Sequence, residues 1–141
     1  MFSQTVEYAL RAVTWLAEHE AEGICGAGRI AQETQVPASY LSKILQQLAK
    51  QEIVLSRRGV GGGFCLAMKP SELSVLAVVN AVDPVCRIKT CPLNLATHQD
   101  QLCPMHARMD EAMAHVEKVL GDSTLADILG DTFRPTPLRD D

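Results

Sequence analysis

The feature that most constrains the fold is a break at Val36-Pro37 between two short helical patterns, followed by the glycine run Gly59-Val-Gly-Gly-Gly63. The first pattern covers 27–35 and ends before the proline, because a residue that precedes proline avoids helical dihedral angles. The second covers 38–51 and has apolar residues at helical spacing, namely Leu41, Ile44, Leu45 and Leu48. Two short helices joined by a tight turn predict a helix-turn-helix.

The glycine run lies between two segments that predict strands. Residues 53–58 are apolar and then basic, and residues 64–67 alternate in polarity. Two such strands around a glycine-rich tip predict a β-hairpin. A hairpin directly after a helix-turn-helix indicates a winged helix.

Helical patterns also flank this unit. We expect a first helix over 3–20, a fourth helix from a Ser74 cap to about Val82, a long helix over about 104–120 and a short last helix around Leu125. The chain has little else to cover the apolar stripe of the long helix, which predicts a partner helix. The predicted fold class is therefore mainly α with a small β-hairpin wing: a winged helix-turn-helix plus a long C-terminal dimerisation helix.

These patterns divide the chain into four segments. The winged helix-turn-helix domain covers 1–82, a cysteine-bearing sensor loop covers 83–103, the dimerisation helix and short terminal helix cover 104–130, and 131–141 forms a tail that we expect to be disordered. No stretch approaches the apolar length that crosses a bilayer, and the N-terminal residues lack the pattern of a signal peptide. We therefore expect a cytoplasmic protein with no membrane partner.

Charge is distributed unevenly along the chain. The net charge is −4, yet residues 29–69 carry six basic and two acidic side chains, which leaves −8 on the remainder. Such asymmetry predicts one phosphate-facing surface. Because the second helix of a helix-turn-helix faces base edges, the predicted partner is double-stranded DNA, with a two-fold operator if the protein is a homodimer.

Candidate DNA contacts fall on the second helix and on the wing. Leu41 and Ile44 point to the core, so the polar residues around them project outward. Glycines let the backbone approach a duplex, and arginine suits narrow minor grooves. Serine and lysine do not dictate a single base, so no operator sequence follows. The candidates are Ser39, Tyr40, Ser42, Lys43, Arg57, Arg58, Gly59, Gly61 and Gly62.

The five cysteines, in a chain without a secretory pattern, predict metal or redox chemistry rather than a disulfide framework. Cys86, Cys91 and Cys103 lie on the predicted loop, and His106 follows the last of them by three residues. Thiolates and imidazoles are ligands of iron–sulfur clusters and of zinc. The other cysteines are interpreted as core residues and the other histidines as surface residues: Cys25 and Cys65, and His19, His98 and His115.

Five motifs, from the first helix to the end of the cysteine-bearing segment, together resemble one family. They are Glu7-Tyr-Ala-Leu, Pro37-Ala-Ser-Tyr-Leu-Ser-Lys-Ile-Leu, Arg58-Gly-Val-Gly-Gly-Gly-Phe, Val78-Val-Asn-Ala-Val-Asp and Cys103-Pro-Met-His. With them the chain resembles the Rrf-two family of winged-helix transcriptional regulators, to about residue 130. The helix-turn-helix and the wing together make the resemblance specific, whereas the cysteine spacing varies within that family.

The resemblance implies a homodimeric winged-helix transcription factor in which the long helix is the dimer seam. It implies an iron–sulfur cluster near that seam, for which we favour [2Fe-2S] over [4Fe-4S], or no cofactor at all. Its cluster loop corresponds to Cys86, Cys91 and Cys103. The fourth ligand is left open between His106, which is close in sequence, and Glu7 of the partner subunit, an acidic position that some members use.

The chain departs from the family pattern in two places. The loop cysteines are spaced Cys-x4-Cys-x11-Cys, whereas the last two are closer in most members. Cys65 stands where the family often has a basic residue after the wing, so one phosphate contact is in doubt.

Together these observations predict a homodimeric transcriptional repressor whose DNA binding is switched by an iron–sulfur cluster or by thiol oxidation. One alternative is a metal-free DNA-binding repressor. Another is a protein-interaction module with a vestigial helix-turn-helix, which the acidic net charge favours. Zinc is less favoured, because nothing specifies a closed tetrahedral set. An enzyme is not predicted, since the chain has no substrate-phosphate loop and no acid–base pair.

Overall fold

The computed structural model describes residues 2–140. Met1 of the predicted winged helix-turn-helix domain and Asp141 of the predicted tail lie outside the described residues. The predicted fold class is confirmed, because the chain is mainly helical with one two-stranded hairpin and a long C-terminal helix. Short 3-10 turns cover Glu20–Glu22 and Ala96–His98. The other elements, in order, are α1 (Gln4–Glu18), α2 (Ala27–Thr34), α3 (Ala38–Lys50), β1 (Val54–Arg57), β2 (Gly63–Leu66), α4 (Val75–Val82), α5 (Pro104–Asp122) and α6 (Leu125–Gly130).

Gln35 makes the turn between α2 and α3. It adopts left-handed backbone angles (φ 57°) directly after α2. Val36 then packs into the core at 2 % exposure, and Pro37 starts α3 with its carbonyl accepting from the Leu41 N–H at 2.9 Å. Since left-handed angles cost a non-glycine residue roughly 1 kcal/mol, packing of Val36 and the capping bond must hold this turn.

The wing is the β1–β2 hairpin, in which Arg57 is opposite Gly63. Cys25 extends it, because Cys25 and Phe64 exchange two backbone hydrogen bonds of 2.9 and 2.8 Å. A Cβ atom on Gly63 would be 2.1 Å from the Cys25 carbonyl oxygen, so glycine is required at this crossing. The assignment of Cys25 to the core is confirmed at 4 % exposure, whereas Cys65 is only half-buried.

The core lies between α1, α2, α3 and α4, which pack against one another. Most of its residues are aliphatic, as the low aromatic content requires. Small side chains on α1 let the helices approach closely. The fully buried residues of α1 and α3 include Ala9, Ala12, Val13, Leu41, Ile44, Leu45 and Leu48.

The C-terminal helices return to the winged helix through a short backbone bridge. Val75 donates its N–H to the Ser123 carbonyl at 2.9 Å, and Leu125 donates to the Leu73 carbonyl at 2.8 Å. Thr124 caps α6, and Leu125 is buried at 2 % exposure. By contrast, none of the 19 residues of α5 is buried within one chain. The long helix is therefore fixed at its C-terminal end and covered by little else.

The tail after α6 forms no helix or strand among residues 131–140. Arg139 Nη1 nevertheless contacts Glu18 Oε2 of α1 at 2.7 Å. The disorder expected of this tail stays a prediction, as does the division of the chain into four segments. In the described part of the chain, every helix is too short or too polar to cross a membrane.

Candidate nucleic-acid interface and metal centre

The exposed face of α3 carries the predicted base-reading residues. Ser39, Tyr40, Ser42 and Lys43 are all exposed, while Leu41 between them is buried. This separation follows from helical geometry, since the apolar residues recur on one side. Tyr40 also packs edge-on against a tyrosine of α1, with ring centroids 6.1 Å apart. The structure thus brings these four side chains to one accessible surface.

The wing presents both of its predicted arginines as exposed side chains. Arg57 closes β1, and Arg58 begins an exposed tip. Gly59 and Gly61 have φ values of 91° and 75°, which favour glycine. A Cβ atom on Gly62 would be 2.3 Å from the Arg57 carbonyl oxygen. Three of the predicted glycines are therefore needed to form the tip itself.

The basic side chains of α3 and of the wing differ from Arg29, because among the described residues they form no ion pair with a carboxylate. Among residues 2–140, Lys43, Arg57 and Arg58 have no carboxylate within ion-pair distance. Positive charge that is not neutralised within the chain can be neutralised by phosphate. The acidic net charge of the chain therefore does not argue against DNA binding at this face.

Arg29, which contributed to the predicted basic half, is neutralised instead. Its Nε donates to Glu33 Oε1 at 2.8 Å, and its Nη1 contacts Glu22. Trp15 Nε1 donates to Glu33 at 3.0 Å, and the His19 ring stacks on Trp15 at 3.8 Å. Hydrogen bonds from Arg29 hold the pKa of Glu33 below its usual range. The expectation that His19 is a surface residue was wrong, because this stack half-buries it.

A groove of about 600 Å³ runs beside α3. The end of α4 and the start of α1 form its far side, and no carboxylate lines it. The sequence analysis did not predict DNA contacts at Gln46, Gln47 and Lys50, although these polar residues follow Lys43 at helical spacing. The lining residues are Thr5, Tyr40, Lys43, Ile44, Gln46, Gln47, Lys50 and Val82.

The loop cysteines differ in environment. Cys86 is exposed and its thiol lies 3.5 Å from the Pro84 carbonyl. Cys91 is buried at 6 % exposure, and Cys103 is half-buried at the start of α5. In the part of the chain that the structure describes, no three His, Cys, Asp or Glu side chains come together as a ligand group. The assignment of the three thiols to one centre therefore stays a proposal.

Two thiol–imidazole contacts stand out within this segment. Cys103 Sγ lies 3.5 Å from His106 Nδ1, as expected for neighbours on the first turn of α5. Cys91 Sγ lies 3.7 Å from His98 Nδ1, which corrects the interpretation of His98 as a plain surface residue. Glu7, the other candidate ligand, is exposed in the first turn of α1.

Arg87 fixes the loop to α5, a role that the sequence analysis missed. Its Nε and Nη2 donate to the two carboxylate oxygens of Asp110, each at 2.7 Å, and its Nη1 donates to Glu117 at 3.2 Å. The Ile88 N–H donates to the same Asp110 at 2.8 Å. Arg87 and this backbone bond lower the pKa of Asp110 to about 2. The segment beside Cys86 is thereby held against the long helix.

Comparison with known proteins decides the family. The profile of Rrf2, described as iron-dependent transcriptional regulators, matches residues 2–131. The chain belongs to the Rrf2 family. This Rrf2 protein is 30 % identical over 122 residues to the HTH-type transcriptional regulator IscR of Serratia proteamaculans, a match that covers 86 % of this chain and 74 % of that one.

Solved structures agree with this Rrf2 assignment. T. potens IscR has a TM-score of 0.75 at 25 % identity, covering 93 % of this chain and 87 % of its own. CymR of B. subtilis, named as the global cysteine regulator, has a TM-score of 0.72 at 22 % identity, covering 91 % and 95 %. The likeness to CymR concerns the fold alone. The Rrf2 protein is therefore a DNA-binding transcriptional regulator, and the prediction that it is not an enzyme is confirmed.

Proposed function

We propose that this Rrf2 regulator is a homodimeric repressor that binds a two-fold operator and is switched by an iron–sulfur cluster. The observation that carries the proposal is the contact of Arg87 with Asp110 and Glu117, which joins the cysteine loop to α5. A ligand bound by the loop thiols would therefore act directly on the long helix. We also propose that the regulator works in the cytoplasm, because its relatives are named as transcriptional regulators and such a protein must reach the DNA that it regulates.

The dimer is supported by the surface of α5. Met105 is 68 % exposed, Met109 50 % and Val119 48 %. Leu93 and Leu95 of the cysteine loop are also exposed. An apolar surface of this kind on one helix suits an isologous contact with the same helix of a second copy. Two copies would present two α3 helices, and half-sites would lie about one helical turn of DNA apart.

The donor chemistry of the loop fits an iron–sulfur group. Cys86, Cys91 and Cys103 supply three thiols, and His106 or Glu7 of the partner subunit completes the set. A bound cluster would supply sensitivity to oxidants and to iron supply. Of the two common types we favour [2Fe-2S] over [4Fe-4S]. IscR relatives and the iron-dependent description of the family agree with this chemistry.

A metal-free thiol switch is the second candidate. The observation that favours it is the exposure of Cys86, because accessible thiols can pass through sulfenate to a disulfide. CymR, which shares the fold, is named as a cysteine regulator. In this version of the proposal, oxidation of the loop would move α5 without a cofactor.

The deciding experiment is an absorption spectrum of the protein purified without oxygen, with iron and acid-labile sulfide analysis. Visible bands with stoichiometric iron and sulfide support the cluster. Colourless protein that takes up no iron after reconstitution rejects the cluster in favour of the thiol switch or of a plain DNA-binding repressor. Binding to a genomic fragment library, selected with and without oxidant, then identifies the operator and which form binds it.

The variant Cys91→Ser provides a second test. We expect it to keep the fold but to lose the response of DNA binding to oxidant, with Cys65→Ser as the matched control outside the loop. A Cys91→Ser protein that binds iron fully and still responds would exclude Cys91 from the sensor.

A further inference from the structure

The histidine in the long insert between Cys91 and Cys103 lies beside the first of these thiols. Cys91 Sγ is 3.7 Å from His98 Nδ1, although the two residues are seven apart in sequence. Cys91 is buried at 6 % exposure, and His98 is half-buried. The insert therefore does not simply extend into solvent, because it returns an imidazole to a buried thiol.

Two turns of the backbone produce this return. Asn94 donates its N–H to the Cys91 carbonyl at 3.1 Å, and it adopts left-handed angles (φ 51°). The 3-10 turn that ends at His98 follows, closed by a 2.9 Å hydrogen bond from its N–H to the Leu95 carbonyl. Short local bonds thus determine where the imidazole lies.

The separation of the two donor atoms matches that of two ligands on one metal ion. For tetrahedral zinc, with bonds of about 2.3 Å to sulfur and about 2.0 Å to nitrogen, the two atoms would be about 3.5 Å apart. Iron in iron–sulfur sites shares the tetrahedral preference. Cys103 Sγ and His106 Nδ1 have nearly the same separation, 3.5 Å. The segment therefore contains two thiol–imidazole pairs with metal-ligand spacing.

We propose that Cys91 and His98 are paired ligands of one metal ion, an inference that rests on the proposed iron–sulfur function. With His98 the segment offers three thiols and two imidazoles, so a four-ligand centre can be completed within one chain. Glu7 of the partner subunit is then not required. Because neither pair has a third donor beside it among residues 2–140, the remaining ligands approach when the centre assembles.

The test compares wild type, His98→Ala and His106→Ala after anaerobic reconstitution with iron and sulfide. His115→Ala is the matched control, because His115 is an exposed histidine of α5 with no thiol contact among the described residues. Pulsed electron paramagnetic resonance of the reduced centre detects ¹⁴N coupled to iron, which reports a ligating imidazole independently of DNA binding. Cobalt(II) titration of the apo proteins provides a thiolate-to-metal absorption band that does not need a cluster.

We expect His98→Ala to lose the nitrogen coupling of one imidazole, whereas the wild type and His115→Ala keep it. The coupling that disappears in His98→Ala should persist in His106→Ala. A cluster whose nitrogen coupling is the same in His98→Ala as in the wild type overturns the inference and leaves the proposed cluster intact. If no cluster forms but the wild type has a cobalt band that His98→Ala loses, the proposed cluster fails while the metal-binding pair stands. Protein that shows neither a cluster nor such a band overturns both.

Discussion

Arg87 and Asp110 form a two-bond ion pair that joins the cysteine loop to the first half of α5, with both N–O distances at 2.7 Å. The same carboxylate accepts the Ile88 N–H, so it holds both a side chain and the backbone beside Cys86. Exposed ion pairs contribute little to global stability, but this one has ideal geometry and fixes a local position. Its effect should therefore appear in the loop rather than in the melting temperature.

Replacing Arg87 with alanine should free the loop. We expect faster amide hydrogen exchange over 85–92 and little change in the winged helix, measured by mass spectrometry. Lys89→Ala is the control, since Lys89 is an exposed cation of the same loop with no ion pair within residues 2–140. Equal exchange in the Arg87 variant and the wild type would show that the ion pair does not hold the loop.

The same contact predicts a pH dependence. The pKa of Asp110 is lowered to about 2 from an ordinary value of 3.8. A carboxylate with a depressed pKa stabilises the docked loop fully above its ordinary pKa, and this contribution is lost as the pH falls toward the lowered value. The Ile88 amide resonance should therefore titrate with a midpoint near pH 2, and Arg87→Ala should move that midpoint upward. A midpoint that is the same in Arg87→Ala and in the wild type would show that Arg87 does not lower the pKa of Asp110.

The wing arginine should be visible in the salt dependence of DNA binding. Replacing Arg58 with alanine should weaken binding and reduce the slope of log K against log salt by about 0.9 for each wing. Lys118→Ala is the matched control, because Lys118 lies on α5 and is paired with Asp122 at 2.7 Å. An unchanged slope in the Arg58 variant would remove the wing from the interface.

Glycine at position 62 is required by a close approach of backbone. Gly62→Ala places a Cβ atom 2.3 Å from the Arg57 carbonyl oxygen, so the tip must rearrange at a local cost of roughly 1–3 kcal/mol. DNA affinity should fall while the helical core keeps its melting temperature. Gly28→Ala, on α2 with open space around it, should instead raise stability by about 0.5–1 kcal/mol. Wild-type DNA affinity in Gly62→Ala would show that DNA binding does not depend on the conformation of the wing tip.

The proposed dimer surface predicts a dissociating variant. Met109→Glu puts a charge on the exposed face of α5, where burial against a second copy would leave it unpaired. Sedimentation should show a smaller species that retains the helical circular dichroism of the wild type. His115→Glu, on the same helix, tests whether any added charge has this effect. A Met109→Glu protein that stays dimeric would move the interface elsewhere.

The order and type of the elements could be predicted because each depends on local signals. Pro37 predicts that the helix before it has ended, and α2 stops at Thr34. Ser74 caps α4, and its hydroxyl accepts from the Ala77 N–H at 3.1 Å, as its residue type predicts. The exposure of Lys43 beside the burial of Leu41 follows from helical spacing alone. These features need only neighbours in sequence.

The missed features join residues far apart in the chain. Arg87 and Asp110 are 23 positions apart, and nothing in their types marks them as partners. Trp15 and Glu33 are 18 positions apart, and the same Glu33 carboxylate also pairs with Arg29 of the basic half. The His98 contact depends on left-handed angles at Asn94, which asparagine tolerates but does not dictate. Such contacts require the packed chain rather than a pattern.

The hydrogen bonds that join Val75 to Ser123 and Leu125 to Leu73 hold the C-terminal end of α5. A tilt of α5 about this end would therefore displace its N-terminal end the most. A helix of 19 residues is about 28 Å long, so each degree of tilt about the C-terminal end moves the end that carries Cys103 by about 0.5 Å. Conversely, a displacement of one ångström at Cys103 corresponds to a rotation of the whole helix by only about two degrees. Small rearrangements among the thiols would thus be transmitted as changes of angle.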